Sequence, residues 1–325
     1  MTLPRSVVYG HTGPLRTKLA DQLTRAGVAF EIIEPAAGTA EQLARRFAGA
    51  TVVHNTSGPF AVSGHHAVEA ALLAACHYLD TSDENDWLVK AREVWHDKYD
   101  AAGLLLAPGL AQPFATSEIA ANLALDTPGA ESLDVLVLWR NMSASSSAAQ
   151  LQRLVEHHGL DPADSLSWPL DRVLNVRLPG HPEPGMAIRF DESPHATWFE
   201  DDERVTELRT YGGASERSKL ASLTSCAGPT VAEGRSALAL GQPVDPTIDS
   251  VYAQGYAGRT HVLLVGTCPY DETAILHTRA ARSLIDHGAA VSGFTSGCRA
   301  FGHLVLLEAL ESAGVVEAPL VTVEA

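Results

Sequence analysis

Over the first 125 residues the apolar positions alternate between two patterns. Short runs at residues 6–9, 30–34, 51–55, 77–80 and 103–107 are apolar almost throughout and read as strands buried on both faces. Between them, residues 15–26, 40–47, 65–75 and 84–101 carry apolar positions at helical spacing, and a further helix is predicted over 117–125. Strand and helix in strict alternation predict a parallel sheet with helices on both faces, because each right-handed crossover needs a helix. The rhythm changes after Asp126, at the breaker cluster Thr127-Pro128-Gly129.

Beyond that cluster, residues 132–140 alternate like a half-buried strand, and 141–149 are rich in serine and alanine. Short strand-like pieces follow at 173–178, 186–190, 195–199 and 205–211, punctuated by proline and glycine as in an antiparallel or mixed sheet. A strand at 261–266 precedes helices at 273–287 and 299–312. The expected organisation is an α/β domain over residues 1–126 and a second α+β domain with a mixed or antiparallel sheet over 127–265. Residues 266–325 are then C-terminal helices returning to the first domain.

Composition narrows the function class. The 325 residues contain Lys+Arg 23 against Asp+Glu 39, a formal charge of −16, which argues against a phosphate-backbone binder or a protein that adheres to anionic lipid. Cys76, Cys226, Cys268 and Cys298 lie far apart with no zinc spacing, as expected of buried thiols in a reducing compartment. No targeting signal and no apolar run of membrane-spanning length is visible, so the expected location is the cytoplasm. A small-molecule substrate, with no nucleic-acid and no membrane partner, is the expectation that remains.

The chemistry starts at the first strand-to-helix turn, Tyr9-Gly10-His11-Thr12-Gly13-Pro14-Leu15-Arg16. Gly10 permits the tight turn, Gly13 lets backbone approach a pyrophosphate, and the helix offers unpaired N–H groups to the anion. Pro14 suits a first helical turn, where its missing N–H costs nothing. Glu34 closes the next strand, where a carboxylate accepts hydrogen bonds from adenosine ribose hydroxyls and repels a 2′-phosphate, favouring NAD over NADP. The alternative is that Glu34 is an ordinary solvated loop acid. Arg16 stands where a small residue is usual; it either reaches the cofactor phosphates or weakens the site.

The segment Val52-Val53-His54-Asn55-Thr56-Ser57-Gly58-Pro59-Phe60 resembles the third-strand motif of saccharopine dehydrogenase-like reductases, a group that includes trans-acting enoyl reductases. Also similar are His77-Tyr78-Leu79-Asp80-Thr81 with Glu84, the strand ending Pro108-Gly109, Tyr270-Asp271-Glu272-Thr273-Ala274, and Ala300-Phe301-Gly302. The likeness covers about residues 5–126 and 261–315 and implies a Rossmann-type domain binding NAD or NADP, followed by a mixed-sheet domain over the nicotinamide. It implies Gly10, Thr12, Gly13, Pro14 and Leu15 at the pyrophosphate and Glu34 at the adenosine ribose, while Arg16 departs from the pattern. It further implies Asn55, Ser57, Gly58, Pro59 and Phe60 along the nicotinamide and its ribose. The activity implied is hydride transfer to or from a C=N or C=C bond of a small metabolite. A homodimer is the expected assembly, because strand-rich second domains often pair across a two-fold axis.

A hydride-transfer enzyme must also supply a proton. Tyr78 and Asp80, at the C-terminal end of a strand, are the expected catalytic pair; His77, His195, Tyr211 and Tyr270 are further donors. Arg140 and Arg299 are the first choices for a substrate carboxylate, ahead of Arg177, Arg189, Arg204, Arg209 and Lys219. Trp139, Trp168, Trp198 and Phe199 suit an apolar pocket or core. The adjacent pairs His65-His66 and His157-His158 do not share a helix face, so no metal site is expected. Two other classes stay open: a nucleotide-binding protein without redox turnover, and a lyase or isomerase using the nucleotide transiently.

Overall fold

The computed structural model describes residues 6–112, 114–139, 173–179, 181–190, 193–215 and 247–324. Arg140, residues 141–149, His157-His158, Trp168, Lys219 and Cys226 lie outside the described residues. The chain divides into two compact units, residues 1–115 with 270–313 and residues 116–269 with 314–325.

The first unit is a doubly wound α/β layer. Its strands β1 (Ser6–Tyr9), β2 (Phe30–Ile33), β3 (Val52–Asn55), β4 (His77–Asp80), β5 (Leu105–Ala107) and the short β12 (Gly293–Phe294) form a parallel sheet in the order β12-β5-β4-β3-β1-β2. Helices α1 (Pro14–Arg25), α2 (Ala40–Phe47), α3 (Phe60–Leu73) and α4 (Asn85–Ala101) connect the first five strands. β1, β3 and β5 are buried along their whole lengths, as a sheet covered on both faces requires. The connections leave β1 in opposite directions, toward β2 and back toward β3. That reversal opens a crevice at the C-terminal ends of β1 and β3, where such sheets bind ligands.

The second unit is built on seven strands in the order β13-β11-β10-β6-β9-β8-β7. These are β6 (Ala130–Trp139), β7 (Val173–Val176), β8 (Gly185–Arg189), β9 (Glu207–Ala214), β10 (Thr247–Gly255), β11 (Gly258–Val265) and β13 (Leu320–Glu324). Only β6 and β9 run parallel; the remaining neighbours are antiparallel. Leu136 and Leu138 on one face of β6 pack with Ile248 and Leu263. Leu133, Val135 and Val137 on the opposite face are also buried. The expected fold class, a Rossmann-type parallel sheet and a separate mixed sheet, is the architecture observed.

Three local expectations change. Residues 195–199 form no strand: Ser193 and Pro194 start a short helix, α6 (Pro194–Trp198), with proline in its favoured first turn. The helix expected over 299–312 is two, α8 (Gly297–Phe301) and α9 (His303–Ser312), because Gly302 has φ 86 and ψ 127. Residues 320–324, expected within a helical tail, instead form the strand β13 at one edge of the second sheet. Helix α5 (Phe114–Leu125) falls almost wholly in the second unit, and α7 (Pro269–His287) almost wholly in the first. No helix among the described residues is long and apolar enough to cross a membrane.

Candidate functional site

The β1–α1 turn is shaped by close backbone approach. A Cβ at Gly10 would come within 2.1 Å of Thr56 Oγ1, so any larger residue there must displace the Thr56 side chain. Thr56 N–H in turn donates to the Tyr9 carbonyl at 2.8 Å, which fastens the β3–α3 loop against the turn. Gly13 is the N-cap of α1 and provides no side-chain cap; Pro14 follows it, and the first turn contains no acidic residue. A Cβ at Gly13 would meet nothing within 4 Å. The helix thus begins with backbone donors, a favourable dipole and open space in front of them, the conditions an anion requires.

Arg16 bridges this turn to the end of β2. Its guanidinium donates to the Gly10 carbonyl at 3.2 Å, to Thr12 Oγ1 at 2.6 Å and to Glu34 Oε1 at 2.8 Å. The Arg16 side chain is only 14% exposed, whereas that of Glu34 is 62% exposed. The hydrogen bond and charge of Arg16 hold the Glu34 carboxyl below its ordinary range. Arg46, in the last turn of α2, donates to the Glu34 backbone carbonyl at 3.2 Å. Arg46 was passed over in the sequence because it belongs to none of the motifs and two adjacent arginines at a helix end already complement the dipole.

At the end of β3, Asn55 is buried and uses both ends of its amide. Its Oδ1 accepts from Ser57 N–H at 2.9 Å, and its Nδ2 donates to the Tyr78 hydroxyl at 2.8 Å. Gly58 and Pro59 are exposed on the loop, while Ser57 and Phe60 are buried. Glu84 terminates this loop: its two carboxylate oxygens accept from Phe60 N–H and Ala61 N–H, each at 2.9 Å, capping α3 from a different segment. The resemblance had included Glu84, but local sequence rules for capping look only within one turn and do not find such a partner.

Tyr78 and Asp80, expected to supply the proton, are fully buried in this structure. Asp80 Oδ1 accepts from Ser82 N–H at 3.0 Å and Gly109 N–H at 2.8 Å, and its Oδ2 accepts from Trp87 Nε1 at 2.8 Å. The Asp80 carbonyl also accepts from Leu110 N–H at 2.9 Å. Burial raises the Asp80 carboxyl above its ordinary value, and these donors oppose the rise. Burial, with the neighbouring Asp80 charge, likewise holds the Tyr78 hydroxyl well above its usual range. This geometry makes Asp80 the clamp that joins the ends of β4 and β5 to α4.

The other expected donors and cations are scattered. His77 Nδ1 accepts from Leu105 N–H at 2.9 Å, tying β4 to β5. In the second unit, buried His195 lies 3.0 Å from Ser117 Oγ through Nε2 and 3.3 Å from Ser193 Oγ through Nδ1. Tyr211 is half-buried beneath Arg189, Arg209 pairs with Asp134, and Arg204 pairs with Asp202. Arg177 and Arg299 are exposed and Tyr270 is half-buried. Trp139, Trp198 and Phe199 are buried core residues. Among the described residues, no three His, Cys, Asp or Glu side chains form a group able to hold a metal ion.

A second polar cluster lies within the first unit. His54 Nδ1 and His277 Nδ1 are 3.0 Å apart, and His54 Nε2 is 2.7 Å from Ser6 Oγ. Burial keeps both rings neutral: His277 is lowered to about 4, and His54 is lowered well below its usual value. One ring therefore donates and the other accepts. No sequence pattern links residues 54 and 277.

Comparison with known proteins bears on the fold. A family of unknown function (DUF5938) matches residues 115–237 and 240–325. No protein of curated function matches the sequence. Among solved structures, an apo histidine-tagged saccharopine dehydrogenase (L-Glu forming) from Saccharomyces cerevisiae is 10% identical, with a TM-score of 0.60. The match covers 98% of this chain and 100% of that one. The amine dehydrogenase from Mycobacterium smegmatis is also 10% identical, with a TM-score of 0.50 over 92% of this chain and 96% of that chain. At such identities the likeness is one of fold: a saccharopine dehydrogenase-like arrangement of a Rossmann-type sheet and a mixed sheet.

Proposed function

The chain belongs to the family of unknown function DUF5938, and we propose that it is a nicotinamide-dependent oxidoreductase. The observation that carries this reading is the uncapped start of α1, facing open space across the Gly10–Gly13 turn at the switch point of a parallel sheet. The residues present fit a dinucleotide. Backbone N–H groups at the start of α1 would take the pyrophosphate, Thr12, Arg16 and Glu34 surround the place for the adenosine ribose, and Asn55, Ser57, Gly58, Pro59 and Phe60 form the adjoining loop. The folds shared with a saccharopine dehydrogenase and an amine dehydrogenase support the same class.

When bound, a nicotinamide would supply the hydride. The chain's own work is placement. Asn55 and Glu84 hold the β3–α3 loop, while Asp80 holds the ends of β4 and β5 around it. The substrate of this reading is a small metabolite with a C=N or C=C bond, and the working form is a cytoplasmic homodimer. A nucleotide-binding protein without turnover is the second reading, favoured by the full commitment of Asp80 to internal donors.

Titration of the full chain with NADH and NADPH, followed by nucleotide fluorescence, tests the first step. Saturable binding in the micromolar range is expected; absence of binding at millimolar nucleotide contradicts both readings. Oxidation of the bound reduced nucleotide by a panel of imines and enoyl compounds then separates enzyme from binding protein.

A further inference from the structure

The ion pair across the nucleotide turn has a second consequence, which rests on the dinucleotide reading above. A carboxylate at the end of β2 selects NAD only while it is free to accept from the ribose hydroxyls and to repel a 2′-phosphate. Glu34 is not free: Arg16 holds its Oε1 at 2.8 Å, and Thr12 Oγ1 lies 3.4 Å from the same oxygen. A second guanidinium, that of Arg46, sits on the Glu34 backbone carbonyl, and His11 is close enough to influence the Glu34 charge. Arg16 therefore pairs with the Glu34 carboxylate and Arg46 with its backbone carbonyl, two arginines at one residue in a chain whose formal charge is −16. A local cationic excess in so acidic a protein points to an anionic ligand there.

The two arginines are also well suited to that ligand. Arg16 is anchored to the Gly10 carbonyl and to Thr12 and is largely shielded from solvent, so little side-chain freedom remains to be lost on binding. Arg46 lies on a helix whose start is fixed by the reciprocal Thr39–Gln42 capping box. A phosphomonoester carries close to two charges and three acceptor oxygens, and a guanidinium fork binds it more strongly than it binds one exposed carboxylate. We propose that Arg16 and Arg46, gathered around Glu34, form a phosphomonoester site that receives the 2′-phosphate of NADP(H) and makes the chain prefer it to NAD(H). Arg16 then exchanges Glu34 for phosphate, and Glu34, the residue expected to favour NAD, serves as the counter-ion that keeps Arg16 in place when the site is empty.

The test is a fluorescence titration of the full chain and its variants with NADPH and NADH. The expected result is at least a tenfold tighter dissociation constant for NADPH. The exposed Arg46→Ala should weaken NADPH at least fivefold while changing NADH less than threefold, and Arg16→Ala, which also removes a contact of the ribose site, should weaken NADPH at least fivefold more than it weakens NADH. Bound NADPH should be displaced by 2′,5′-ADP at lower concentration than by ADP, which distinguishes a 2′-phosphate from a phosphate held only at the helix end. Tighter binding of NADH by the wild-type chain overturns the proposal. So does an equal loss of both nucleotides in Arg16→Ala, which would put Arg16 on the pyrophosphate. Failure of either nucleotide to bind defeats the dinucleotide reading itself, a separate and recognisable outcome.

Discussion

Asp80 shows how one carboxylate can be read two ways. Its place at a strand end suits a proton donor, yet both oxygens are taken by Ser82, Gly109 and Trp87. An asparagine there must turn its amide nitrogen toward at least one of those N–H donors, leaving a buried donor unpaired. Asp80→Asn is therefore expected to lower the unfolding free energy by about 1–3 kcal/mol, read from the urea midpoint. Its nucleotide affinity should change little. Unchanged stability with abolished turnover would return Asp80 to the role of proton donor. The sequence could place Asp80 at the crevice but not reveal its partners: Gly109 is 29 residues away, and no local rule pairs them.

Elements whose signals are local were legible, and elements fixed by distant partners were not. Helix Ala40–Phe47 and strand His77–Asp80 coincide with the sequence expectation, the first bounded by a capping box and the second by its apolar run. By contrast, β10 and β13 were overlooked: β10 is buried on both faces over residues 248–251 and so lacks alternation, and β13 is fully exposed yet held by its pairing with β11. The pairing of β3 with α7 through His54 and His277 was equally hidden. It carries a pH signature. His277 is lowered to about 4 in the folded chain against about 6.5 when unfolded, so the unfolded state takes up the proton first as pH falls. Stability from this group is complete above about pH 6.5 and lost progressively down to about pH 4, to the extent of about 3 kcal/mol. Urea midpoints across that range should show the fall, and His277→Gln should flatten it; an equal slope in both proteins would contradict the assignment.

For the whole molecule, the strand–helix alternation predicted the parallel sheet, and the change of rhythm after Asp126 predicted a second, mixed sheet. The second compact unit starts at residue 116, so helix α5 lies almost wholly within it. The match to the family of unknown function begins next to it, at residue 115. With a net charge of −16, an anionic cofactor would gain nothing from a general field, and on the proposal above it would depend on the α1 start and on Arg16 and Arg46.

The claim that α1 begins at a dinucleotide site is tested most directly by Gly13→Asp, with thermal unfolding and NADPH titration measured on the same protein. Gly13 has extended backbone, φ −174 and ψ 171, and space for a side chain, so aspartate caps the helix without strain. It also puts a carboxylate where the pyrophosphate belongs. The account predicts a melting temperature equal to or above wild type together with at least a thirtyfold loss of NADPH affinity. Wild-type affinity in a protein capped and stabilised in this way would contradict it.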